Sequence, residues 1–146
     1  MVIYKCSRFD MKTKRSLRGD QKYYLGDLAF FYARNTDNRV NWGPVLENIF
    51  YLHARSLGLS ASVGRIGRVY ECDFVVRDFG NAYAYVQVSY ALSSEKVQER
   101  EYRPFAHIRD GYPRWLLTMD PLCGGGEGVR HVNFVRFMAE EPPVTR

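Results

Sequence analysis

The chain is expected to fold as one α/β domain, with a mixed central sheet flanked by helices. Three observations point there. GPVLENIFYLHARSLG carries Val45, Leu46, Ile49, Phe50, His53 and Leu57 at three- and four-residue spacing, the period of an amphipathic helix. SASVGRI, GRVYECDFVVRD and AYAYVQVSY follow as strand-like runs, rich in β-branched and aromatic residues and separated by turn signals. The segment ALSSEKVQEREYRPFAHIRDGYP, with a helical body inside it, then leads into the buried-looking strand RWLLTMD.

The elements follow in order. VIYKCSRFD reads as a short strand, and KTKRSLRGDQ as a polar, turn-like segment. KYYLGDLAFFYAR starts as a strand and continues as a short helix that Asp27 can cap. NTDNRVN is a loop by composition. Pro44 suits the first turn of the long helix, and Gly58 suits its C-terminal stop. Short turns between the next three strands predict an antiparallel meander. The strand after the second helix can return parallel to one of them. Ser93 or Ser94 caps that helix, and Val97, Tyr102 and Ala106 mark its body. PLCGGGEG is a loop, VRHVNF a last strand, NFVRFMAE a final short helix, and EPPVTR a frayed tail.

A chain of 146 residues can bury a proper core, and its aromatic content is that of a globular protein. No apolar run approaches the ~20 residues needed to cross a bilayer. The N-terminus has no apolar signal-peptide stretch, so a cytoplasmic location and no membrane partner are expected. Cys6, Cys72 and Cys123 lie far apart and read as free buried thiols. The net charge of +5 comes entirely from residues 1–22, where seven basic residues face two acids. In that basic segment Lys12, Lys14, Arg15 and Arg18 are the candidate nucleic-acid contacts, against the plainer reading of a solvated arm or hairpin.

The chemistry-bearing residues are spread over the helix and two strands. Glu47 lies in the long helix, Glu71 and Asp73 in ECDFVV, and Gln87 and Ser89 in YVQVSY. In a strand, residues two apart share a face, so Val69, Glu71, Asp73 and Val75 should point one way. Tyr70, Cys72, Phe74 and Val76 should point the other way, forming the apolar face. A helix Glu, a strand Asp and an (E/Q)xK on the next strand make the pattern of a metal-dependent PD-(D/E)xK nuclease. Their oxygens suit a hard cation, Mg²⁺ or Mn²⁺, with Glu47 and Asp73 as first ligands and Glu71 as a further one. Ser89 stands in the Lys slot and is too short and neutral to replace it. Lys96 or Arg100 on the next helix are the candidates for a relocated cation. The plainer reading pairs Glu71 and Asp73 with Arg65, Arg68 or another base, merely holding the sheet.

Other patterns exclude functions. GGGEG at 124–128 lacks the Lys of a phosphate-binding P-loop and precedes a strand, so no ATP-binding site is expected. His53, His107 and His131 lie on different elements and read as structural. Tyr83, Tyr85 and Tyr90 could stack bases, or simply pack the sheet.

The runs GPVLENIFYLHARSLG, VGRIGRVYECDFVV, YVQVSYALSSEKVQEREYRPFAHIRDGYPRWLLTMDP and GVRHVNFVRFM together resemble the C-terminal domain of a large group of prokaryotic AAA-type ATPases. That domain of unknown function is similar to a divergent PD-(D/E)xK, restriction-endonuclease-like fold. The resemblance covers residues 22–140. It implies that residues 1–22 are a basic linker ending a winged-helix and ATPase segment, with 23–140 the endonuclease-like domain and 141–146 a tail. It matches Glu47 to the helix acid, Asp73 to the strand acid and Gln87 to the E/Q slot, while Ser89 departs from the Lys slot, as the family commonly does. It also implies an ATPase module or nucleic acid as partner. An apolar face around Tyr23, Tyr24, Phe30 and Phe31, left by an absent ATPase half, would favour a homodimer. Three functions follow as expectations: a non-catalytic accessory domain, an active Mg²⁺- or Mn²⁺-dependent nuclease, or a basic nucleic-acid-binding module.

Overall fold

A computed structural model describes residues 1–34 and 40–140. Most of the expected NTDNRVN loop and the EPPVTR tail lie outside the described residues. One seven-stranded sheet runs in the order β2-β1-β3-β4-β5-β6-β7. The strands are β1 (Ile3–Asp10), β2 (Arg15–Leu25), β3 (Ser60–Ile66), β4 (Tyr70–Arg77), β5 (Tyr83–Val88), β6 (Arg114–Thr118) and β7 (Arg130–Asn133). The helices are α1 (Ala29–Arg34), α2 (Trp42–Ser56), α3 (Glu95–Ala106) and α4 (Phe134–Ala139). β3, β4 and β5 form the expected antiparallel meander. β6 returns parallel to β5, and β7 is parallel to β6. The fold is therefore α/β with a mixed sheet between helices. No helix among the described residues is long and apolar enough to cross a membrane.

Helices cover both faces, which is why residues 74–76 of β4, 83–86 of β5 and 115–117 of β6 are continuous apolar runs. Phe50, Tyr51 and Ala54 of α2 and Phe134 and Phe137 of α4 pack on Phe74, Val76, Val86 and Leu117. On the other face Phe105 of α3 packs with Cys72, Val75, Tyr85 and Leu116. The buried stripe of α2 is rotated from the expected one. Tyr51 and Ala54 are buried while Leu57 is exposed, because Tyr24 enters the core and stacks on Tyr51 with ring centroids 4.5 Å apart. At the end of α2, Gly58 has φ +74° and its N–H donates to the Arg55 carbonyl, while the Leu59 N–H reaches the Ala54 carbonyl. Ser94 caps α3 by accepting the Val97 N–H, and Asp27 accepts the Ala29 N–H at 2.8 Å.

The N-terminal hairpin corrects two expectations. KTKRSLRGDQ is a turn only at its start, and from Arg15 it is strand β2. This is an edge strand, whose hydrogen bonds to β1 need no apolar face. Nor are residues 1–22 set apart from the domain, since β1 lies inside the sheet between β2 and β3, and residue 22 falls within β2. The Asp10 carboxylate holds the turn by accepting the Lys12 and Thr13 N–H groups at 2.8 and 3.1 Å. The expected apolar face is also dispersed. Tyr24 is buried, whereas Tyr23 and Phe30 are exposed. Cys6 and Cys72 are buried free thiols as expected, but Cys123 is exposed. Burial pushes the Cys6 thiol up to about 11, so it stays protonated.

A β-bulge in β4 resets the alternation read from its sequence. Ser62 pairs with Val75 but Gly64 pairs with Cys72, so Asp73 and Phe74 together oppose Val63. Beyond the bulge the faces swap. Phe74 and Val76 join the α2 face, while Cys72 and Val75 join the α3 face. Asp73 thus shares the α2 face with its neighbour Phe74. Gly64 allows this close approach. A Cβ there would meet Met11 Sδ at 2.6 Å, Val75 Cγ2 at 2.9 Å and Cys72 Cβ at 3.1 Å. Gly64→Ala is expected to lower stability by about 1–3 kcal/mol in urea unfolding. An unchanged midpoint would mean the bulge does not depend on this contact.

Candidate functional site

Three carboxylates from two elements meet a single ammonium group. Lys22 Nζ, from β2, lies 3.1 Å from Glu47 Oε2, 3.5 Å from Glu71 Oε1 and 4.0 Å from Asp73 Oδ1. Arg8 of β1 donates to Glu71 Oε2 at 3.0 Å, and the Tyr24 hydroxyl donates to Glu47 Oε2 at 3.3 Å. Glu47 reaches the cluster because α2 is anchored on β2 next to it. The buried Asn48 accepts the Leu25 N–H at 2.8 Å and donates to the Leu25 carbonyl at 2.9 Å.

Asp73 and Gln87 close the gap where β4 and β5 part. The β4–β5 register ends at Phe74 opposite Val86. Beyond it, Asp73 Oδ2 accepts the Val88 N–H at 2.9 Å, and Gln87 Oε1 accepts the Asp73 N–H at 3.1 Å. Gln87 Nε2 donates to Glu101 Oε2 at 3.0 Å, and the Arg100 guanidinium holds Glu101 Oε1 at 2.7 Å. The sequence brought Glu47, Glu71, Asp73 and Gln87 forward, and the fold gathers them. It directs Gln87 toward Glu101 and away from Lys22. Ser89 is buried beyond Gln87, and its backbone N–H donates to the Leu117 carbonyl.

The charges follow from this packing. Burial pulls the Lys22 ammonium down, but Glu47, Asp73 and Glu71 outweigh it and hold Lys22 above its ordinary value. The Asp73 side chain is 13% exposed. Burial first, then the Glu47 charge, push its carboxyl up to about 8, against the Val88 N–H and Lys22, which favour the anion. Asp73 thus holds its proton more firmly than an ordinary carboxyl, and Lys22, nearer to Glu47 and Glu71, chiefly serves those two. Burial and the Glu47 charge also push the Tyr24 phenol up, so it stays a donor.

The expected relocated cation is corrected. Arg100 is turned to Glu101 at an exposed position, and Lys96 is exposed. Lys22 stands among the acids instead. The acids do pair with bases, as the plainer reading expected, but the bases are Arg8 and Lys22 rather than Arg65 or Arg68; Arg65 donates to the Arg68 carbonyl. Lys22 and Arg8 were legible in the sequence only as members of a charge run. The one signal for Lys22 was its period-two relation to Tyr24 within KYYL.

Do these residues fit a metal ion? Among the described residues no group of three acidic, His or Cys side chains converges to hold one. The reason is chemical: the Glu47, Glu71 and Asp73 oxygens that face one another all face Lys22. A cation would have to displace an ammonium and overcome the raised carboxyl of Asp73. The Mg²⁺ or Mn²⁺ site expected from Glu47, Asp73 and Glu71 is therefore not preformed.

The candidate nucleic-acid contacts separate. Lys14 is half-buried. Its ammonium lies 2.7 Å from Asp110 Oδ2, bonds the Tyr85 hydroxyl, and sits 5.0–5.6 Å from the ring centroids of Tyr83, Tyr85 and Tyr112. Tyr83 and Tyr85 are thereby committed to the fold, and Tyr90 stacks on Trp42. Lys12, Arg15 and Arg18 are exposed. His131 bonds Thr118 at 2.8 Å and His107 stacks on Tyr70, each in a packing role.

No family model matches the chain, and no solved structure matches it. An uncharacterized protein of Haemophilus influenzae is 28% identical over 117 residues, which make up 80% of this chain and 28% of that protein. The chain thus spans a little over a quarter of the length of that relative.

The raised Asp73 carboxyl sets a pH dependence. Unfolded, the group titrates near 3.8; folded, it holds its proton to about 8. Between these values the native state binds the extra proton, so stability falls as pH rises through the window. Asp73→Asn should flatten that fall, by up to about 1.4 kcal/mol per pH unit. Urea unfolding between pH 5 and 8 measures it. Identical slopes in the two proteins would contradict the assignment.

Proposed function

We propose that this is a restriction-endonuclease-like domain that has kept the acid frame of a PD-(D/E)xK nuclease and lost its hydrolytic role. It serves as a non-catalytic accessory domain for recognition in a larger protein. The observation that carries the reading is Lys22 Nζ within 4.0 Å of all three acids, in the space a divalent cation would need. Ser89 in the Lys slot supports it, as does Gln87, whose amide is spent on Asp73 and Glu101. The sequence resemblance supports an AAA-type ATPase as the larger protein. The match to a stretch within a longer relative is compatible with a domain of a multidomain chain.

A second reading has one observation in its favour. Lys22 stands beside Asp73 and could be the displaced catalytic lysine of an active nuclease. Calorimetric titration with Mn²⁺ and Mg²⁺, beside cleavage assays on single-stranded, duplex and branched DNA, separates the two. The wild type should show neither stoichiometric metal binding nor cleavage. Lys22→Ala leaves three carboxylates without their ammonium and should gain weak Mn²⁺ binding at alkaline pH. Stoichiometric binding by the wild type, lost in Asp73→Ala together with DNA cleavage, would establish the active nuclease.

A further inference from the structure

The β1–β2 turn, the β3–β4 turn and the segment after α3 close around a cleft of about 690 Å³. Lys12, Arg68, His107 and Arg109 line it, one or two from each segment. Gly67, with φ +64°, makes the tight turn that brings Arg68 to the rim. Arg65 donates to the Arg68 carbonyl at 3.3 Å, which adds a further guanidinium beside it.

The local acids are already engaged. Asp110, which also lines the cleft, accepts Lys14 at 2.7 Å and the Tyr85 hydroxyl at 2.6 Å. The Asp10 carboxylate accepts two turn N–H groups. Among the described residues, Lys12, Arg68 and Arg109 have no acidic partner within 4.0 Å. The Tyr70 and His107 rings stack at 3.9 Å within the cleft wall.

We infer that this cleft binds the phosphodiester backbone of a nucleic acid, with Lys12, Arg68 and Arg109 as phosphate contacts. Cations spread over three loops suit a polyanion with repeated charges, and their field would steer it in. The inference deepens the recognition role proposed above and rests on it. It moves the contact from the basic run of the N-terminal segment to a surface assembled by the fold.

Fluorescence anisotropy with short labelled single-stranded and duplex oligonucleotides tests it. EDTA is present throughout, so the result is independent of any hydrolysis and of the fate of the acid cluster. The wild type should bind with affinity that falls steeply with salt. Combined Lys12→Ala, Arg68→Ala and Arg109→Ala should weaken binding by at least about tenfold and lower the salt slope by about 0.7–0.9 per lost contact. All three positions are exposed, and an unchanged melting temperature checks the fold. Arg68→Glu alone should give a similar loss. Arg18→Ala, outside the cleft lining, should have little effect. The inference falls if the wild type does not bind, if binding ignores salt, or if Arg15 and Arg18 matter while the cleft residues do not. It also falls if inorganic tripolyphosphate displaces the oligonucleotide at equal concentration, which would mark a small-anion site.

Discussion

Glu47, Glu71 and Asp73 are drawn together at half-buried positions, where three unpaired carboxylates would repel one another and lose hydration. The Lys22 ammonium, with Arg8 behind Glu71, removes most of that cost. Asp73, the most buried of the three, sheds the rest by keeping its proton. The arrangement constrains more than charge. It ties edge strand β2 to the middle strand β4 and to α2, across the face that carries the larger core. A metal site would use the same oxygens, so the cluster can hold an ammonium or a cation, but not both at full strength.

The N-terminal hairpin is fastened at two points. Lys22 enters the acid cluster, and Lys14 enters the cage of Tyr83, Tyr85, Tyr112 and Asp110. Both belong to a segment whose charge suggested a solvated hairpin or arm. Two of its seven basic residues are used to hold the sheet together, and a third, Arg8, is paired with Glu71. What remains on the surface is the charge that can meet a partner. The cleft beside Lys12 recruits additional cations from β3–β4 and from the end of α3.

The fold class was legible because the periods were strong. The presence of α2, the meander of β3 to β5 and the parallel return of β6 follow from spacing and turn residues, while α2 buries a face one step round from the one its spacing indicates. Glu47 and Asp73 were brought forward together because a helix acid and a strand acid in that order match the PD-(D/E)xK pattern. Three features were hidden. β2 lacks alternation because an edge strand needs none, so its polar half read as turn. The bulge at Asp73 and Phe74 depends on the Gly64 pairing, a relation between distant strands that no local period carries. Lys22 was hidden for the same reason. Its partners lie 25, 49 and 51 positions away in the chain, and only the order β2-β1-β3-β4 brings them near.

A double-mutant cycle between Lys22→Met and Glu47→Gln, read by urea unfolding at neutral pH, addresses the central interaction most directly. If the ammonium is what allows the carboxylates to gather, the two changes are coupled, by about 1–3 kcal/mol. The double variant is then clearly more stable than the sum of the single losses implies. Additive losses would mean that Lys22 and Glu47 do not depend on each other and that the acid cluster is held by something else.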